Sequence, residues 1–145
     1  TYLIHRDEWA LYMQPDRLEN PNTQQQLLPL EQLGKLQLIS GKNRLTDEVT
    51  VVETSGHAPG HMSLEVESEG AQAFIQGDVV VHHVLLARPE WRPRFDFEPE
   101  GAKRVRDAEL ERWANEGLLI VANHFPYPGF GHVEKAGDAW AWRPA

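Results

Sequence analysis

The chain has 145 residues, 41% of them hydrophobic, enough to bury one core. Lys and Arg number 14 against 22 Asp and Glu, a net charge of −8, which argues against nucleic acid as a partner because phosphates demand clustered cations. There is no cysteine, hence no disulfide, thiolate metal ligand or cysteine nucleophile, and no run approaches the roughly 20 apolar residues of a membrane span. A membrane partner is therefore not expected, and a cytoplasmic setting is.

In chain order, residues 1–5 read as a strand and 6–14 as a short helix, whose Trp9, Tyr12 and Met13 share a face expected to pack in the core. Pro15 stops that helix. The polar stretch 16–26, with Asn20-Pro21-Asn22 at its middle, reads as a mobile surface loop. A helical turn is expected over 27–32, a strand over 35–40, a turn at 41–43 and a short β-branched strand over 49–53. Residues 62–67 alternate apolar and polar, the period of a half-buried strand, and Ser68-Glu69-Gly70 turns them into 71–75 as a hairpin.

Residues 88–97 hold Trp91, Phe95 and Phe97 among prolines, an irregular connection packed by its own aromatics. The next helix is predicted to start near Pro99 and to be capped by Gly117. Ala102, Val105, Leu110 and Trp113 fall within one arc of it, with Arg106 and Glu109 intruding. Acids interrupt the basic run of Arg88, Arg92, Arg94, Lys103, Arg104 and Arg106, so most of it is expected to be a solvated face. A strand over 118–122 follows, and a helix crossing between strands in this way predicts a mixed α/β layer.

The stretch richest in chemistry is Thr54-Ser55-Gly56-His57-Ala58-Pro59-Gly60-His61-Met62-Ser63. Gly56 and Gly60 allow backbone angles closed to other residues, and Pro59 stiffens the turn. A loop that rigid holds an imidazole still, as a metal ligand requires. Its spacing alone fits equally well a tight connection whose histidines bond nearby backbone. Two further strands decide between these readings. Residues 71–75 run into Gln76-Gly77-Asp78, and 118–122 into Asn123-His124-Phe125-Pro126. Strand ends carrying His57, Asp78 and His124 offer two imidazoles and a carboxylate, a donor set for zinc or a related transition metal.

His82 and His83 are adjacent, and neighbours on a strand point to opposite faces, so joint ligation of one ion does not suit them there, a limit that relaxes on a loop. After His124, residues Pro126, Pro128, Gly129 and Gly131 fix the backbone. Phe125, Tyr127 and Phe130 are expected to wall a small hydrophobic substrate there. His132 is left open, its expected context a strand pairing with 138–142. Ser55 and Ser63 lack the strand-to-helix elbow of a nucleophilic serine.

The ordered series Gly56-His57-x-x-Gly60-His61, Gly77-Asp78 and a later strand-end histidine, His124, resembles the metallo-β-lactamase-fold hydrolases. The segment from His124 to His132 and the close Trp140-Ala141-Trp142 look most like the branch containing acyl-homoserine lactonases and methyl parathion hydrolase. The resemblance implies part of an αββα sandwich. His57 would bind one metal, His124 a second, and Asp78 would bridge the two as the main catalytic residue. Gly77 would let the backbone approach closely, and His61 would be a supporting residue. His82 or His83 would line the pocket and touch substrate rather than hold metal. Two zinc ions are implied, with iron or manganese as alternatives, together with hydrolysis of a lactone, ester or phosphotriester bond in a small-molecule substrate. A thioester hydrolase of the glyoxalase II type shares these ligands, but the proline- and aromatic-rich segment after His124 argues against it.

The family's upstream motif, H-x-H-x-D-H, has no counterpart. His5 stands alone, His82 and His83 are adjacent, and no H-x-H occurs. The resemblance therefore implies one partial domain over 1–145, the downstream half of a larger protein. Each ion would keep about two protein ligands, against three or more in catalytic zinc sites. Weak metal binding and little turnover are expected of the chain alone. An uncovered sheet face is expected to be met by the missing N-terminal half or a second copy. The competing expectation is a non-catalytic module that kept the fold for binding or assembly.

Overall fold

A computed structural model describes residues 1–145. Nine strands form a two-stranded and a seven-stranded sheet. The small sheet pairs β1 (Tyr2–His5) with β2 (Leu36–Ile39) in parallel. The large sheet runs β3 (Asn43–Arg44), β4 (Val49–Glu53), β5 (Met62–Ser68), β6 (Ala71–Ile75), β7 (Leu119–Val121), β8 (Phe130–Ala136) and β9 (Ala139–Pro144), in that order. All its neighbours are antiparallel except β6 and β7. Because β5 opposes both β4 and β6, the strands β4, β6 and β7 point the same way. Their C-terminal ends share one edge of the sheet, and this topology gathers the residues that follow them.

A parallel neighbour needs a crossover, supplied here by the helices α4 (Val84–Ala87) and α5 (Pro99–Glu116). Pro99 opens α5, and Gly117, at φ +63°, ends it in a left-handed cap. Leu110 and Trp113 of α5 are buried in one cluster with Leu85 and Leu86 of α4 and with Phe74, Ile120 and Val133 of the sheet. The Phe74 and Trp113 rings lie 5.3 Å apart. The opposite face carries an in-register row, Leu64, Ile75, Val121 and Phe130. Of these, Ile75, Val121 and Phe130 are each at least 36% exposed, so helices cover one side of the sheet and an apolar strip stays open on the other. The mixed α/β layer expected from the sequence is present.

Two expectations fail in the first forty residues. The helix α1 (Arg6–Tyr12) forms but buries none of its residues, and Trp9, Tyr12 and Met13 are only half-buried, because a two-stranded ribbon is too narrow to enclose a helix face. The stretch read as a mobile loop is helical instead. It holds α2 (Pro15–Leu18), a π-helical turn at Thr23–Leu27 and then α3 (Leu28–Gln32). Pro15 ends one helix and, at the first position of the next, starts another. No helix is long and apolar enough to cross a membrane.

Candidate functional site

The loops after β4, β6 and β7 bring His57, Asp78 and His124 together. The two oxygens of Asp78 face different imidazoles: Oδ1 lies 3.1 Å from His124 Nε2, and Oδ2 lies 3.5 Å from His57 Nε2. Asn123 Nδ2 also donates to Oδ1, at 3.3 Å. His57 and Asp78 are half-buried, whereas the side chain of His124 is 55% exposed.

His61 stands behind this group with both ring nitrogens committed. The Asp78 N–H donates to His61 Nε2 at 2.8 Å, so the ring proton sits on Nδ1, which reaches Thr54 Oγ1 at 2.8 Å. Thr54 Oγ1 in turn lies 2.8 Å from Ser63 Oγ, and Ser63 donates to the Gln76 carbonyl at 3.1 Å. These donors run in one direction only if the ring is neutral. Burial pushes its pKa below the ordinary imidazole value; Asp78 pulls it up, and His57 adds to the lowering. His61 therefore fixes the backbone at Asp78 and has no lone pair left for a metal. Gly77 makes room for this, since a Cβ there would fall 2.6 Å from His61 Nε2. Gly60 serves differently from the expectation. Its φ is not positive, and glycine is needed because a Cβ would fall 2.5 Å from His5 Cβ and 2.7 Å from Glu8 Cβ.

On its far side, His57 Nδ1 meets Asp96 Oδ1 at 3.0 Å. Asp96 is buried, and Arg106, also buried, places Nη1 3.8 Å from Asp96 Oδ2. Arg106 Nη2 donates to the Trp91 carbonyl at 2.9 Å. Burial lowers the Arg106 pKa, opposed by the charges of Asp96 and Asp107. Arg106 thus departs from the solvated face expected of the basic run, because an internal carboxylate compensates it. Asp96 escaped the sequence reading altogether. It has no motif around it, and the one signal was a lone acid between Phe95 and Phe97.

A cavity of about 600 Å³ opens over the three side chains. One wall is Val81, Val84 and Leu85; the other is Trp91, Pro93 and Phe95, with Arg92 and Arg94 beside them. His82 lines it, and its Nδ1 accepts the Val84 N–H at 3.2 Å. His83 does not line it but stacks on His82 at 4.3 Å and meets Phe125 edge-on at 6.2 Å. Phe125, Tyr127 and Phe130 are not its wall either. Phe125 packs on Trp142 at 4.7 Å, Tyr127 is 97% exposed, and Phe130 belongs to the open strip. The reason is backbone pairing. The segment after His124 folds back on β7 through Ala122 N–H to the Gly129 carbonyl at 2.7 Å. The 91–97 loop is drawn over the site instead, through Phe97 N–H to the His57 carbonyl and Glu98 N–H to the Gly56 carbonyl, both at 3.0 Å. His132 sits on β8 opposite Arg143, apart from the cavity.

No group of three His, Cys, Asp or Glu side chains gathers where a single ion could be held. The donors divide instead, one imidazole to each oxygen of Asp78. Two imidazoles and a shared carboxylate suit zinc chemically, and they fit as one half-site for each of two ions rather than as a closed site for one.

No protein-family model matches the chain, and no curated protein matches its sequence. Solved structures do match. A crystal structure of the hydrolase AbOPH, of the beta lactamase superfamily, is 26% identical and superposes over 100% of this chain and 55% of its own, with a TM-score of 0.88. AidC, a dizinc quorum-quenching lactonase in complex with a product, is 18% identical and matches 99% of this chain and 54% of its own, at 0.79. A probable metal-dependent hydrolase from Staphylococcus aureus is 19% identical, with 99% and 52% covered, at 0.75. The chain spans about half the length of each of these structures.

Proposed function

We propose, for a chain that carries the metallo-β-lactamase fold over about half the length of the hydrolases it matches, that it contributes one half of a two-metal hydrolytic centre. The observation that carries this reading is the division of the Asp78 carboxylate, one oxygen toward His57 and the other toward His124. His57 with Oδ2 would hold one zinc ion, and His124 with Oδ1 the other, Asp78 bridging. The remaining donors would come from outside these 145 residues, from a preceding half or a partner chain. The open strip Ile75–Val121–Phe130 supports a further polypeptide seated beside the site.

Zinc held by these residues would supply Lewis-acid polarisation of a carbonyl or phosphoryl oxygen and would lower the pKa of water toward neutrality. This chain's part is to bind and orient. Its cavity is of the size that takes a small molecule. Its two walls would offer apolar surface to the substrate through Val81, Val84, Leu85, Trp91 and Phe95, and its carboxylate would neutralise part of the cationic charge. A lactone, ester or phosphotriester with an apolar arm suits those walls. The matched lactonase and the matched beta lactamase-superfamily hydrolase support that choice.

Zinc analysis together with hydrolysis of lactones and aryl phosphotriesters tests the reading. The isolated chain should hold zinc weakly and turn over negligibly, and should gain turnover when joined to a segment carrying an H-x-H-x-D-H donor set. Two tightly held zinc ions with full turnover by the chain alone would overturn the half-centre. Failure of any zinc to reach His57 and His124 would overturn the metal assignment itself.

A further inference from the structure

We infer that Asp96 and Arg106 are positioning residues: Asp96 holds His57 in its Nδ1–H form, with Nε2 bare toward Asp78, and Arg106 locks that arrangement to the cavity wall. Its purpose rests on the metal centre proposed above, but its geometry does not.

His57 lies between two carboxylates, and a neutral imidazole has one N–H to give. The contact to Asp96 is 3.0 Å with hydrogen-bonding geometry, whereas that to Asp78 is 3.5 Å. The side chain of Asp96 is 2% exposed against 32% for Asp78, so its attraction is far less screened by water. Distance and burial both send the proton to Nδ1. What remains at Nε2 is a lone pair aimed into the site, the form a ligating histidine takes when a carboxylate fixes its other nitrogen.

Arg106 explains why Asp96 stays in place. At 1% exposure its guanidinium grips both ends of the segment 91–96, the Trp91 carbonyl through Nη2 and the Asp96 carboxylate through Nη1. Asp96 Oδ2 and Arg106 Nε have no hydrogen-bond partner of their own, so the pair is held by burial and charge rather than by a saturated network. The chain then continues into the pairings of Phe97 with His57 and of Glu98 with Gly56. The wall that would cover a substrate and the imidazole that would hold a metal therefore form one rigid piece.

The test is the ring nitrogen pattern of His57 in long-range proton–nitrogen spectra of the chelator-treated chain, at about pH 8.5, two units above the ordinary imidazole value. The expected pattern is Nδ1 protonated and Nε2 bare; a protonated Nε2 overturns the inference without any variant. Asp96→Asn offers a neutral acceptor, which competes poorly with the charge on Asp78. It should move the population toward Nε2–H and weaken zinc binding about 10- to 100-fold. A folded Asp96→Asn with the wild-type pattern overturns the role of Asp96; should it not fold, the wild-type pattern decides. Arg106→Lys keeps the charge but not the two-ended grip, so the Trp91 carbonyl carbon resonance should shift while the His57 pattern holds. A Trp91 carbonyl that does not move overturns the link to the wall. Zinc that bypasses a His57 with the expected pattern would refute the metal centre and leave this inference standing.

Discussion

Gly77→Ala isolates the contact on which the position of Asp78 depends. Gly77 has φ +58°, where a side chain costs about 1–2 kcal/mol. The new Cβ would also lie 2.6 Å from His61 Nε2. His61 cannot swing aside cheaply, because Thr54 holds its Nδ1 at 2.8 Å. The bond it accepts from the Asp78 N–H must give way, and an unpaired buried group costs about 1–3 kcal/mol more. The expected loss is about 2–5 kcal/mol. Gly117→Ala is the control, at φ +63° with nothing within 4 Å of the added atom, and it carries the backbone cost alone. Urea unfolding of both variants, extrapolated linearly to water, measures the difference. If Gly77→Ala loses no more than Gly117→Ala, the His61 contact is not what demands glycine there, and the reasoning about the Asp78 backbone is wrong.

Three further outcomes follow from packing and charge. Trp113→Ala removes a buried indole packed at a tilt against Phe74 and should cost about 3–5 kcal/mol in the same unfolding assay. Phe95→Ala, at a wall residue 73% exposed, should change stability by less than about 0.5 kcal/mol, so that any loss of ligand binding it causes is local. Burial raises the Glu65 pKa, but Lys42 and Arg112 outweigh it and hold the carboxyl below its ordinary range. With the folded pKa under the unfolded value near 4.3, that stabilisation is full above it and fades as pH falls through the folded pKa. Glu65→Gln should therefore flatten the melting curve against pH between about 5 and 3, and an unaltered slope would contradict the assigned ion pairs.

Strand patterns were legible because period and turn chemistry agree locally: 49–53, 62–67 and 71–75 fall within a residue of β4, β5 and β6. The convergence of His57, Asp78 and His124 was legible for a reason beyond spacing, since each follows a strand and the three strands turn out to run the same way. What failed was set by contacts distant in the chain. Nothing near Phe125 or Tyr127 says that the Ala122–Gly129 pairing folds them away from the site. Nothing near Trp91 says that a buried Arg106, fifteen residues on, pulls that irregular segment over the site. Charge patterning misled for the same reason. Arg106 reads as one more surface cation until its partner Asp96 is located inside.

The measurement that bears most directly on the account is a zinc titration followed on the ring nitrogens of all seven histidines. Nε2 of His57 and of His124 should move together and stay still in Asp78→Ala, with His61 unmoved in both. Zinc that shifts His61 or the His82–His83 pair, or that reaches one of His57 and His124 without Asp78, would contradict it.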